Sequence, residues 1–403
     1  MAKRARGASA AADGGASATQ ATDDTANANM PEWLASTRRL VIKIGSALFV
    51  DQATGTLDRA WLESVCADVS DLRAEGKEVV IVSSGAVALG ARELKLDPRR
   101  ARLEDKQAAA ATGQIVLAHA YQEVLGGFGI TAAQVLLTID DSESRRRYLN
   151  ASKTLLSLLG YGVVPVVNEN DTVATQELRY GDNDRLAARV AQMVSAECLV
   201  LLSDIDGLYT ANPRVDDTAR HIEEVAELKR EHWDMAGGTG SSHGSGGMRT
   251  KLDAARIAIG AGCRMAIASG RAARPIAALR AGGKATWFLP SATPGAARKQ
   301  WIAGTLSPKG TVRVDLGAER ALASGRSLLP AGVVGVDGQF ERGDAVRVLG
   351  ADGRELARGL IAYAADEARL IAGKQTAGIA DVLGYRGRDE IIHRDDLVLI
   401  DTR

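Results

Sequence analysis

The chain is short of the features that would make its class obvious. Its three cysteines, Cys66, Cys198 and Cys263, lie far apart and form no CxxC pair. That argues against a disulfide framework or a zinc site and fits reduced, buried thiols in a cytosolic protein. No apolar run reaches the roughly 18 residues of a membrane span, so no membrane association is expected and the localisation reads as cytoplasmic. Net charge is missing as well: 50 Lys and Arg balance 50 Asp and Glu, leaving no global field for nucleic acid or an anionic membrane. Two common phosphate motifs, GxxxxGK[ST] and GxGxxG, are absent, and the sequence shows no internal repeat.

What is present is ordinary for a globular protein. The 403 residues are 46% hydrophobic and 25% charged, enough for two or three domains and a large core. Residues 1–36 stand apart, rich in Ala, Ser, Thr, Gly and Asp, with Trp33 their one aromatic. Such a segment cannot offset its ordering entropy and reads as a disordered extension. Its basic start lacks the apolar core of a secretory signal, and Asp13, Asp23 and Asp24 argue against a transit peptide.

From residue 37 to 289 short apolar runs alternate with helical patterns. The runs are Leu40–Ile44, Val79–Val82, Gln134–Thr138, Val163–Val167 and Cys198–Leu202. A helical stretch is expected over Gln107–Leu125, interrupted at Gly113, and another near Asn150–Leu159. A third, after Asn183, puts Leu186, Val190, Met193 and Val194 on one stripe. This alternation predicts an α/β fold, a three-layer αβα sandwich around a mainly parallel sheet. Residues 290–308 read as a linker. Residues 309–395 predict a small, mainly β domain, with runs such as Thr311–Val314 and Ala345–Val348 between glycine turns. Residues 396–403 read as a tail.

In open parallel sheets ligands bind beyond the carboxyl ends of the strands. Four strands here end on small or polar groups: Lys43-Ile44-Gly45-Ser46, Ser83-Ser84-Gly85, Asn168-Glu169-Asn170-Asp171 and Ser203-Asp204. A glycine-rich loop, Gly244 to Lys251, precedes a further helix; backbone N–H groups, the helix dipole and Lys251 together suit a polyphosphate. Lys43 sits in an apolar strand, where a charge is costly unless it is paired or functional. A solvated strand end for Lys43 and a flexible surface loop for Lys251 are the bland alternatives. Gly181-Asp182-Asn183-Asp184 opens a helix, and its Asn and Asp residues also suit capping and turns.

The segments VIKIGSALF, IVSSGAVALG, VVPVVNENDTVAT, YGDNDRLAARVA, LLSDIDGLYTANPR and GSGGMRTK, in this order over residues 38 to about 270, resemble the amino-acid kinase family. Within it, the NENDTVAT and GDND pair is similar to the glutamate 5-kinases, and the C-terminal part resembles a PUA domain. The resemblance implies that Lys43, Ser203, Asp204 and the loop Ser245, Gly246, Gly247, Met248, Arg249, Thr250 and Lys251 contact ATP. It implies that Ser84, Asp171 and Asn183 bind glutamate, with Asp182 and Asp184 in support. Ser203 and Ser245 stand where the family often has threonine, and both keep a hydroxyl.

The implied reaction moves the γ-phosphoryl group of ATP to the glutamate side chain. The acceptor is already an anion at neutral pH, so cations rather than a base should dominate, with Lys43, Lys251 and Asp184 as the catalytic set. Either Asp184 or Asp204 is expected to orient the lysines. Mg²⁺ is expected on the ATP phosphates, with no dedicated protein ligands. His119, His221, His232, His243 and His393 are scattered and read as structural or surface groups. The resemblance also implies proline as a feedback inhibitor and a homo-oligomer, dimer or tetramer. Rival readings are an acetylglutamate or aspartate kinase, and RNA binding through the PUA-like domain, where Arg313, Arg320, Arg326, Arg342 and Arg347 could form a patch.

Overall fold

The computed structural model describes residues 32–51, 54–97, 100–173, 182–236, 247–305 and 307–400. Among these, the strands in chain order are β1 (Arg39–Ile44), β2 (Glu78–Val82), β3 (Ala132–Leu137), β4 (Val164–Glu169), β5 (Cys198–Ser203), β6 (Leu208–Tyr209), β7 (His221–Ile222), β8 (Glu224–Val225), β9 (Arg264–Ser269) and β10 (Ala285–Phe288). Eight of them form one sheet in the order β3-β4-β2-β1-β5-β9-β10-β8, and β6 pairs with β7 apart from it. From β3 to β9 every neighbouring pair is parallel; β10 runs antiparallel to β9. On one side of β1 the chain places β2, then β3 at the edge, and then β4 between them. It then returns to the other side of β1 with β5, so the strand order reverses at β1.

The alternation of a strand's side chains sets two cores. On β1, Leu40, Ile42 and Ile44 join a cluster with Leu62, Val65 and Val69 of the helix Arg59–Ala74 and Leu117, Tyr121 and Val124 of the helix Leu103–Gly127. Val41 points the other way, into a cluster with Leu186, Ala187 and Val190 of the helix Asp182–Met193 and Leu252, Ala255 and Ala258 of the helix Met248–Gly260. Lys43 follows Val41 by two residues and therefore shares that second face.

The helix Leu103–Gly127 runs unbroken through Gly113, where an interruption was expected. Its glycine serves a close crossing instead. A Cβ on Gly113 would lie 1.9 Å from the Ala86 carbonyl oxygen, and one on Gly90, in the helix Ala86–Glu93, 1.7 Å from that of Ala109. The paired glycines let the two backbones touch and so hold the turn carrying Ser84. Gly85 next to it adopts φ +104°, a conformation that other residues reach only with strain.

The C-terminal sheet has the order β12-β11-β13-β14-β15. Its strands are β11 (Gly310–Val314), β12 (Val333–Gly338), β13 (Ala345–Leu349), β14 (Glu355–Leu360) and β15 (Leu397–Leu399), over a separate core containing Val312, Val346, Tyr363 and Ile391. Two stretches differ from expectation. Residues 290–308 hold the helix Pro294–Thr305 rather than an irregular linker, because Ile302 finds apolar partners in Leu149, Ala345 and Leu360 from both sides of it. Within 1–36, Glu32–Ser36 is helical: Leu34 is buried, and the Lys77 ammonium donates to the Ala35 and Thr37 carbonyls at 2.7 and 2.8 Å. No helix among the described residues is long and apolar enough to cross a membrane.

Gly113→Val should force the two helices apart. Overpacking of this kind costs about 1–3 kcal/mol, so the urea midpoint should drop. An unchanged midpoint would mean the crossing has slack that the geometry does not suggest.

Candidate active site

The four polar strand ends noted in the sequence belong to β4, β2, β1 and β5, which are consecutive neighbours running in the same direction. Their carboxyl ends therefore share one edge, and the point where strand order reverses lies among them. That is where open parallel sheets leave a crevice.

Three charged groups meet under this edge. The Lys43 ammonium lies 2.6 Å from Asp184 Oδ1, and the Lys251 ammonium lies 3.1 Å from Asp184 Oδ2. All are buried: Asp184 is 0% exposed, Lys251 3% and Lys43 8%. Thr250 also donates to Asp184 Oδ2, at 3.2 Å. The meeting follows from helix periodicity. Asp184 shares one face with Ala187, Ala188 and Ala191, while Lys251 shares one with Ala254, Ala255 and Ala258. All six alanines are buried, and the two helices pack together. Small side chains allow the close packing that brings Lys251 to Asp184, and Lys43 arrives from the strand face between them.

Burial by itself would raise the Asp184 carboxyl, but the Lys43 and Lys251 charges outweigh it and hold the group well below the usual carboxylate range. Burial lowers the Lys43 ammonium from its ordinary value, with Asp184 opposing and Lys251 adding to the shift. Two cations share one anion, so the cluster is electron-poor and suited to an incoming polyanion. Of the two aspartates considered as orienting groups, Asp184 contacts both lysines. Asp204 instead accepts from Ser203 at 3.1 Å and from Arg214 at 3.2 Å.

Beside the lysines lies an uncharged cluster. The Asn183 amide donates through Nδ2 to Ser84 Oγ at 2.8 Å and to Asn168 Oδ1 at 3.2 Å. Asn168, 2% exposed, donates in turn to Gln114 Oε1 at 2.7 Å, while its Oδ1 also accepts from the Glu169 backbone N–H at 2.9 Å. Next to it a cleft of about 270 Å³ is lined by Gln114, Gln134, Glu169, Asn170, Asp171 and Thr172, among others. Asp171 thus faces the same open space as the end of β4.

Of the loop residues expected at ATP, Gly247 precedes the helix Met248–Gly260, whose first turn carries Met248, Arg249, Thr250 and Lys251. Gly247 and Arg249 are exposed. Ser245 and Gly246 lie outside the described residues, and of Asp182 only the backbone is described. Sequence reasoning missed Gln114 and the linking role of Asn168. A glutamine inside a 25-residue helix carries no local signal, and only the fold brings it to the end of β4.

Residues 38–269 match the amino acid kinase family and residues 310–383 the PUA domain. Among curated proteins, the chain is 61% identical over 366 residues to a glutamate 5-kinase of Paramagnetospirillum magneticum, covering 91% of this chain and 99% of the relative. It is 60% identical to a glutamate 5-kinase of Rhodospirillum rubrum, over 89% of this chain and 96% of the relative. It is also 60% identical to glutamate 5-kinase 1 of Rhizobium meliloti, over 90% and 92%.

Asp184→Asn would leave two buried ammonium groups without a counter-charge. Breaking such a buried set typically costs about 3–5 kcal/mol, which denaturant unfolding would read. Because the folded-state pKa of Asp184 is depressed, its stabilising effect is complete above the unfolded value of about 3.9 and fades as pH falls toward the folded one. The stability gap between wild type and variant should therefore be flat from neutral pH down to about 5 and close below about 3.9. A gap that already closes near neutral pH would show Asp184 to be protonated there.

Proposed function

This chain belongs to the amino acid kinase family, and from that premise we infer that it is a glutamate 5-kinase. It transfers the γ-phosphoryl group of ATP to the side-chain carboxylate of L-glutamate, giving L-glutamyl 5-phosphate and ADP, the first step of proline biosynthesis. The observation that carries this reading is the near-complete coverage, at about 60% identity, of relatives that bear that name, C-terminal domain included. The buried lysine pair supports it from the side of the chemistry.

The acceptor carboxylate ionises near pH 4.3 in water, so no base is needed to make the nucleophile. The obstacle is the approach of one anion to another. Lys43 and Lys251 offset it by neutralising phosphoryl oxygens, and Asp184 keeps both ammonium groups aimed at one place. In this reading Ser203, Asp204 and the loop Ser245–Lys251 hold ATP. Ser84, Asp171 and Asn183 hold glutamate, with Asp182 in support. Ser84 Oγ already accepts from Asn183, which leaves its proton for a substrate carboxylate.

Mg²⁺ would travel with ATP, held by phosphate oxygens and water. Mg²⁺ suits this phosphate-borne role because it keeps several of its waters and binds chiefly through substrate phosphates. We further propose proline as feedback inhibitor, because a small amino acid can share a subsite shaped for glutamate. A cytoplasmic homo-oligomer belongs to the same reading. RNA binding by the C-terminal domain is the second reading, favoured only by the PUA match.

Turnover of ATP with glutamate, with and without proline, is the direct test; activity on aspartate or acetylglutamate but not glutamate would overturn the assignment. Lys43→Ala and Lys251→Ala should each lower kcat by about 100-fold or more, and near-normal turnover in a folded variant would remove that lysine from the mechanism. Asp171→Ala and Asn183→Ala should chiefly raise the KM for glutamate. An effect confined to the KM for ATP would put them at the other substrate.

A further inference from the structure

The uncharged cluster has a defined polarity, and one end of it is open. The Glu169 backbone N–H can only donate, so the Asn168 atom 2.9 Å from it must be the amide oxygen. The Asn168 NH₂ group then points at Gln114, which has to present its carbonyl oxygen, as it does at 2.7 Å. The same Asn168 oxygen receives the Asn183 NH₂ group, which also donates to Ser84. The Asn183 oxygen is thereby turned away from all of them. It is buried and has no hydrogen-bond partner among the described residues, an arrangement that is costly unless a ligand supplies a donor.

We propose that Gln114 is a positioning residue for substrate recognition: by holding the Asn168 amide it sets the Asn183 carbonyl oxygen toward the glutamate subsite, where it accepts from the substrate's α-ammonium group. Glutamate carries two carboxylates, which only accept, and a single donor group, the ammonium. An orphaned acceptor in its subsite therefore selects that group and no other part of the molecule. Ser84 offers the complementary donor beside it, so the two ends of the cluster sort ammonium from carboxylate. Gln114 lies on the helix Leu103–Gly127, 54 residues from Asn168 in sequence, and is itself 9% exposed. Without its oxygen the Asn168 NH₂ group would be a buried donor lacking a partner, and the amide would gain by turning.

This inference rests on the glutamate 5-kinase reading, and the experiment separates the two. Wild type, Gln114→Met and Gln114→Glu are assayed with glutamate and with glutarate, which keeps both carboxylates but lacks the ammonium. Methionine fills the site without a comparable acceptor, whereas glutamate at 114 retains one. The expected result for Gln114→Met is a rise of about tenfold in the KM for glutamate, the value of one hydrogen bond. The KM for ATP should hold, and the preference for glutamate over glutarate should fall by a similar factor. Gln114→Glu should keep the wild-type preference. A Gln114→Met enzyme with unchanged preference, or one whose two KM values rise together, overturns the proposal. Should that variant not fold, Gln114→Glu decides alone, and a collapsed preference in it has the same consequence. Wild-type enzyme inert toward glutamate would instead overturn the functional reading itself.

Discussion

Asp184 is a carboxylate with no solvent exposure held between two buried ammonium groups, and the rest of the site is arranged around it. Burying one charge in an apolar core is prohibitive; burying three is tolerable when each has a partner in contact. Two lysines alone would repel each other, and Asp184 offsets that repulsion by contacting both ammonium groups. Because one anion serves two cations, the cluster retains an unmet positive charge at the sheet edge. In the proposed reading a polyphosphate completes it, so stability and ligand binding draw on the same electrostatic imbalance.

Much of this was legible in the sequence, for identifiable reasons. The run Leu40–Ile44, leading into Gly45-Ser46, announces a buried strand by its apolar content and a candidate functional end by its one charge, Lys43. The stripe Leu186, Val190, Met193 and Val194 carries its own period, and all four residues are buried as that period requires. The parallel sheet follows from strands alternating with helices. Legibility fails where meaning depends on distant partners. Gly113 looks like a helix breaker until Gly90 is seen against it. Residues 32–36 look like more of the polar extension until Lys77 is found capping their carbonyls. Composition describes a segment, whereas these roles belong to pairs.

The choice between Asp184 and Asp204 shows the same limit. Both follow apolar or helical patterns, both neighbour a hydroxyl or amide, and nothing local separates them. The strand β1 and the two alanine-faced helices bring the lysines to Asp184. Asp204, at the end of β5, is half-buried, and burial's tendency to raise its pKa is outweighed by hydrogen bonds from Ser203 and Arg214.

Asn183 and Asp184 are adjacent in sequence but serve different neighbours. Successive residues on a helix point about 100° apart, so at the start of the helix Asp182–Met193 one side chain turns to Ser84 and Asn168 while the next turns to Lys43 and Lys251. A single helical turn thereby joins the uncharged cluster to the cationic one. An acceptor carboxylate and a phosphoryl donor must be held at a fixed separation for in-line transfer. In the proposed reading, building both subsites from consecutive residues of one rigid element fixes that separation through backbone geometry, without requiring two independent loops to agree.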